Sequence, residues 1–434
     1  MVLLKNDGVL PLKRPKRIAI VGPLADQTPV LLGNYHGEPT HAVSVLEGMK
    51  AVFPDAQITY VPGTQFLSNT GEPVPAAMLK TGYLTAPETG DYRVGITSTG
   101  TARVSVAGQL IALTYGGTSM GRTHLEKGVP VKLEVSAPPE ARLFWHRIND
   151  VPDPAAVAAA RNADLVVAVV GITSALEGEE MPVSEPGFQG GDRTTIDMPD
   201  PEEALVRAVA SAGKPLIIVL MNGSALATRW EKDHASAILE AWYPGEEGGT
   251  AIANTLSGRN NPAGRLPVTF YQDVHQLPTF ENYSMSGRTY RYFTGTPLWP
   301  FGYGLSYTSF SYGDLALPKA PIRAGQPIHA SVKVTNSGAA AGDEVVQLYL
   351  EFPDVPGAPL RALRGFRRIH LAPGESQTVA FDLKPRDVSM VSQTGEIIVP
   401  AGKYTLSVGG GQPGTGLPTV AGEFSVVGQV KLPE

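Results

Sequence analysis

The chain has 434 residues, 42% of them hydrophobic and 18% charged, with a formal net charge of -6 and a pI near 5.8. This is the composition of a folded chain with room for roughly three domains, and it excludes both a disordered protein and a basic surface suited to nucleic acid. The absence of cysteine excludes disulfides and thiolate chemistry, and no apolar run approaches the ~20 residues that cross a bilayer, so neither nucleic acid nor membrane is an expected partner.

The start, Met1–Leu4, offers no basic n-region and no apolar h-region, so no export signal is read there, and a chain without cysteine suits cytosol and periplasm alike. A βαβ rhythm follows: a strand over Arg17–Val21, a loop through Gly33–Gly37, a helix capped near Ser44 and a strand over Ile58–Val61. Between about Gly82 and Trp145 that rhythm gives way to period-two alternation, as in Tyr92–Ile96 and Ala102–Val106, with turn signals at Gly90-Asp91 and Ala107-Gly108. An inserted small β domain is expected there.

The α/β rhythm returns with a helix over Pro154–Ala163, the strand Leu165–Val170 and a helix opened by Asp200-Pro201 with Glu203 at the third helical position. Strands over Leu216–Leu220 and Ala237–Glu240 complete it. Short Val/Ile/Leu runs alternating with helices imply a parallel sheet covered on both faces. Beyond Phe270 the chain is loop-like and aromatic through Tyr283, Tyr290, Phe293, Trp299 and Tyr307, as expected of a linker whose rings pack at a domain junction. Strands over Ile328–Thr335, Val345–Leu350, Gln377–Asp382 and Lys403–Val408, separated by turns at Asn336–Gly338, Pro373–Glu375 and Pro400–Gly402, imply a β-sandwich of immunoglobulin or fibronectin type.

The expected fold class is therefore α/β plus all-β. An α/β sandwich with a mainly parallel sheet occupies 1–75 and 148–275, the β insertion 76–147, the aromatic linker 276–309 and the β-sandwich 310–434.

The chemistry-bearing candidate is the acidic loop Leu176–Met181, which holds Glu177, Glu179 and Glu180 directly after the hydrophobic strand and runs into Gly190-Gly191-Asp192-Arg193. The carboxyl end of a buried parallel strand is where an open α/β sheet places reactive groups. A glutamate there suits general acid catalysis, since a neutral carboxyl can give its proton to a departing oxygen and neighbouring carboxylates raise its pKa. Other chemistries lack their signatures. No Gly-x-Ser-x-Gly segment stands at a strand-to-helix turn as a nucleophile elbow does, there is no His-Glu-x-x-His pair, the turn Gly22-Pro23-Leu24 lacks the glycines of a dinucleotide fingerprint, and His36 and His146 stand isolated. No metal or cofactor is expected.

Six segments in order carry a family resemblance: Val2–Leu12; Leu176–Glu180 with Gly190–Arg193; Ala241–Gly245; Asn261–Pro267; Tyr290–Phe293; and Phe301–Thr308. Together they resemble the carboxy-terminal portion of glycoside hydrolase family 3, the β-glucosidases and β-xylosidases. The β insertion resembles a PA14 domain, best over Gly82–Tyr92, and the tail resembles the fibronectin type III-like domain of many family members.

The resemblance implies an exo-acting retaining β-glycosidase that acts on terminal non-reducing sugars of a β-linked oligosaccharide or glycoside. In the family a barrel domain supplies an Asp nucleophile and the α/β domain supplies the Glu acid/base. Matching residue by residue, Glu177 takes the acid/base position, with Glu180 and Glu179 as second and third choices, while Asp192 and Arg193 match a pair that anchors the loop through an ion pair or backbone contact. The barrel itself has no counterpart here, which implies a truncated gene, an isolated fragment or half of a split enzyme, inactive until a barrel is supplied. For a full-length parent the expected location is periplasmic or extracellular. The competing expectation is a non-enzymatic carbohydrate-binding or adhesion protein using the two β domains.

Overall fold

Seven consecutive residues, Leu165–Gly171, form a strand with every position buried, as a run of Leu, Val, Ala and Gly without one polar side chain demands. In the computed structural model, which describes residues 1–67 and 71–433, this strand is central to the first of two compact units, made of Lys13–Ser236 and Ala241–Ala253. Its neighbours are Arg17–Val21 on one side and Leu216–Met221 on the other, both parallel to it, and Gln57–Val61 pairs in parallel beyond Arg17–Val21. Ala168 sits opposite Val21 and Ile218 in this register. Each fully buried Val, Leu or Ile side chain here contributes about 1.5–3 kcal/mol of transfer free energy.

Three helices follow the sequence reading, at Val45–Val52, Pro154–Asn162 and Asp200–Ala210, whereas Arg229–His234 and Gly248–Ser257 are not announced by it. Val45–Val52 begins with a capping box, in which Ser44 Oγ accepts from the Glu47 amide and the Glu47 carboxylate accepts from the Ser44 amide. Pro154–Asn162 is capped by the Asp153 side chain. The helix Asp200–Ala210 opens with Asp200-Pro201 as read, but Pro199 holds the cap position without any side-chain hydrogen bond and Glu203 is the fourth helical residue, not the third. The third helical residue is Glu202, fully buried, and its side chain serves the neighbouring strand instead of the helix end. Glu203 lies on the outer surface and pairs with Arg207 one turn on.

The alternating stretch between the strands at 57–61 and 165–171 forms two four-stranded antiparallel sheets. One is ordered Tyr83–Thr85, Pro130–Ser136, Ala102–Val106, Gln109–Thr114, and the other Glu72–Pro73, Arg142–Arg147, Gly90–Ser98, Gly117–Leu125. Val94, Ile96, Val104, Leu133 and Trp145 belong to the core between them, and Tyr92 stacks on Trp145.

The second unit comprises Met1–Leu12, Ala237–Glu240 and Asn254–Glu434. Val2–Asn6, a strand the sequence did not announce, pairs antiparallel with Ala237–Glu240. The sandwich consists of a three-stranded sheet, Phe310–Ala316, Ile328–Asn336, Ser376–Leu383, and a five-stranded one, Ile322–Arg323, Thr419–Val427, Gly402–Gly409, Gly342–Glu351, Ala362–Leu371. Val332, Leu348, Tyr404 and Phe424 lie in its core. The aromatic linker packs against this sandwich. Tyr290 stacks on Phe301, meets Tyr349 edge-on and accepts the Leu363 amide on its hydroxyl, while Arg265 reaches Glu344 at 3.1 Å in a buried ion pair.

One buried acid of the first unit makes stability pH-dependent. Glu231, in the helix Arg229–His234, is 1% exposed, and burial pushes its carboxyl from the usual 4.5 up to about 7. The folded state then binds this proton more tightly than the unfolded state, so stability is lost as pH rises from about 4.5 to about 7 and is level above that. Glu231→Gln removes the effect. In urea titrations the variant should gain on the parent by up to about 3 kcal/mol between pH 4.5 and pH 8, at 1.36 kcal/mol per pKa unit; parallel pH profiles would show that Glu231 ionises freely in the fold.

Candidate active site

The acidic loop begins where the strand Leu165–Gly171 leaves the sheet. Gly171 has φ +142, and a Cβ there would lie 2.0 Å from the Met221 carbonyl oxygen, so only glycine lets the two backbones come this close. Its amide donates to Glu202 Oε2 at 2.7 Å, and burial pushes the Glu202 carboxyl well above the usual range. Past the strand, Thr173 forms a tight turn. The Leu176 and Glu177 amides donate to its carbonyl, and buried Leu176 pins the turn to the core.

Glu177 is then held by three donors from other parts of the same unit. Its Oε1 accepts from the Gly223 amide and the Tyr243 hydroxyl, both at 2.8 Å, and its Oε2 accepts from Ser224 Oγ at 2.6 Å. Three of a carboxylate's roughly four acceptor sites are thereby filled. Tyr243 is half-buried, and desolvation together with the Glu177 charge pushes its phenol far above the ordinary value, so it is a standing donor. Gly223 is required for this geometry, because a Cβ there would lie 2.7 Å from Glu177 Oε1 and 2.8 Å from the Tyr243 ring.

Arg193 extends the network. Its guanidinium donates to Ser224 Oγ at 2.9 Å and to the carbonyls of Thr195, Ala225 and Asp197, and it lies over the Phe188 ring. Asp192 is exposed, and its backbone pairs with Gln189 in a small three-stranded sheet of Ser184–Glu185, Phe188–Gln189 and Asp192–Arg193. The Gly178 amide donates to Gly191, Met181 to Gly190 and Gly190 to Val183, so the acidic segment and the small sheet form one hydrogen-bonded piece.

Glu179 and Glu180 stand at its exposed tip. Glu179 Oε2 accepts from the Tyr35 hydroxyl at 2.6 Å, and the loop is further tied down by Asn34, whose amide donates to the Glu177 carbonyl. Glu180 has φ +47, a left-handed conformation unusual for a residue with a Cβ and commonest where a site dictates the backbone.

The structure therefore brings Glu177 and Arg193 together through Ser224, leaves Asp192 on the surface, and presents Glu179 and Glu180 outward. Gly223, Ser224, Tyr243, Asn34 and Tyr35 received no role from the sequence. For Tyr243 a signal existed, since Ala241–Gly245 stands out as a motif, but nothing in it points to Glu177.

A profile described as the glycosyl hydrolase family 3 C-terminal domain matches residues 1–307, and one described as a fibronectin type III-like domain matches residues 344–412. A xylan 1,4-beta-xylosidase of Xylanibacter ruminicola is 35% identical over 94% of this chain and 55% of its own length. A periplasmic beta-glucosidase of Salmonella typhimurium is 33% identical over 94% of this chain and 47% of its own. Among solved structures, DesR, a beta-glucosidase from Streptomyces venezuelae in complex with D-glucose, is 28% identical with a TM-score of 0.76, covering 98% of this chain and 58% of that one. The chain spans about half the length of the curated relatives it matches.

Ser224→Ala tests the network directly. It leaves Glu177 Oε2 short of a partner and takes one of the two hydrogen bonds of Arg193 Nη1, and chemical denaturation should show a loss of about 1–3 kcal/mol. An unchanged midpoint would mean that the hydroxyl is not part of what holds the loop.

Proposed function

Since the chain belongs to the family of glycosyl hydrolase family 3 C-terminal domains and carries a fibronectin type III-like domain, we propose that it is the acid/base-bearing part of an exo-acting retaining β-glycosidase. The substrates are terminal non-reducing sugars of β-glucosides or β-xylosides, and catalysis requires a barrel domain that brings an Asp nucleophile. The observation that carries this reading is the anchored loop of three glutamates at the carboxyl end of the central parallel strand.

Geometry reorders the three. A proton donor must turn an oxygen toward the leaving group, and Glu177 has both of its oxygens engaged by Gly223, Ser224 and Tyr243. Glu177 is a positioning residue, joined in that role by Arg193, while Asp192 contributes backbone pairing. Glu179 is the proton donor: it is exposed, only two residues beyond the anchor, and oriented by Tyr35. Glu180, bent by its left-handed backbone, stands beside it at the exposed tip.

In the retaining route the nucleophilic carboxylate sits about 5–5.5 Å from the acid/base. Glu179 protonates the glycosidic oxygen as the barrel's Asp forms the glycosyl-enzyme, then as a carboxylate takes a proton from the water that releases the sugar.

The test supplies a separately expressed family barrel and follows hydrolysis of β-glucosides and β-xylosides with good and poor leaving groups. Glu179→Gln should lower kcat on poor leaving groups by roughly 10²- to 10⁴-fold, with a much smaller loss on activated aryl glycosides. Glu177→Gln should lower both classes alike. If Glu179→Gln keeps full activity on alkyl glycosides and Glu177→Gln loses it selectively, the assignment is reversed.

A further inference from the structure

One buried ion pair outside this network is built on Glu185. Its side chain is 4% exposed, and its Oε1 lies 2.7 Å from Arg93 Nη2, a guanidinium 1% exposed. The partners come from different places: Glu185 from the small sheet that continues the acidic loop, Arg93 from the strand Gly90–Ser98 of the inserted β domain. A second arginine of the insertion, Arg122, stands 3.8 Å from Glu185 Oε2 and is itself bound to Asp91. The Arg93 guanidinium also covers the Phe66 ring at 5.5 Å.

Such a pair is a poor source of stability. Desolvation costs several kcal/mol per ion, and apolar side chains of similar volume would hold two surfaces together equally well. What an ion pair adds is direction, since the guanidinium satisfies its charge at one position of the partner. The backbone hydrogen bonds of Gly178, Met181 and Gly190 make the segment from Glu177 to Arg193 a single piece, so whatever fixes Glu185 fixes Glu179 six residues earlier.

We propose that the inserted β domain is a brace for the acidic loop, with Arg93 as the positioning residue that sets the place of Glu179 through Glu185. The consequence for catalysis rests on the glycosidase reading above, but the brace itself does not.

Hydrogen exchange on the whole chain tests the brace without any activity. Arg93→Met should speed exchange of the Gly178, Met181 and Gly190 amides at least roughly tenfold, with the strand Leu165–Gly171 unchanged. Arg93→Lys, which keeps the charge, should restore part of the protection. The double variant Arg93→Met/Glu185→Met should recover the unfolding midpoint but not the loop protection, which separates positioning from mere packing. If Arg93→Met does not fold, Glu185→Gln provides the same comparison at constant shape. With a barrel supplied, Arg93→Met should lower kcat on poor leaving groups about tenfold at nearly unchanged KM, as for a misplaced proton donor. Loop amides that exchange no faster in Arg93→Met and Glu185→Gln overturn the brace, whatever the activity. Faster loop exchange with no hydrolysis in any mixture leaves the brace standing and removes the glycosidase reading.

Discussion

The carboxylate of Glu177, gripped by one backbone amide and two hydroxyls, is the interaction on which the rest of the site depends. It joins the loop that leaves one central strand to the turn that leaves the next, because Gly223 and Ser224 follow directly on Leu216–Met221. Tyr243 closes the third side with its half-buried phenol. With that carboxylate removed, Ser224 loses the group it donates to, Arg193 loses a nearby charge, and the tip bearing Glu179 and Glu180 keeps only its backbone ladder, the Asn34 and Tyr35 hydrogen bonds and the Glu185–Arg93 pair.

The layers below this grip follow a hierarchy of rigidity. Leu165–Gly171 is buried along its whole length between two parallel neighbours, which gives the loop an immobile root. Gly171 then turns the chain under a close backbone approach, with Glu202 beneath it accepting its amide. Outward from there, packing is replaced by hydrogen bonds and finally by solvent. A group that exchanges protons with a substrate belongs at the outer end of such a series, and its supports belong further in.

How much of this was legible follows from what is local. The Val/Ile/Leu runs of the parallel strands, the capping box at Ser44 and Glu47, and the alternation of Ile328–Asn336 carry their own periodicity, so they could be read directly. Val2–Asn6 could not, because it becomes a strand only by pairing with Ala237–Glu240, far along the chain. The helix start at Asp200 was legible, but the glutamate at its third position was not, because Glu202, drawn inward to the Gly171 amide, and Glu203, paired outside with Arg207, are interchangeable in a motif but not in a fold. The acidic loop showed in the sequence as a cluster of carboxylates after a buried strand. Which carboxylate is anchored and which is free did not show, since the deciding donors lie at 223, 224 and 243 and no spacing rule connects them to 177.

Tyr35 gives this arrangement a further property. It is 89% exposed and lies in a separate loop, yet its hydroxyl aims the Glu179 carboxyl, and the hydrogen bond to Glu179, with that group's charge behind it, raises the phenol above its ordinary value. The reach and polarity of the acidic tip are therefore set in part from a surface segment that shares no strand or helix with it. A change of one or two residues near position 35 would re-aim that carboxyl while the interior stays untouched.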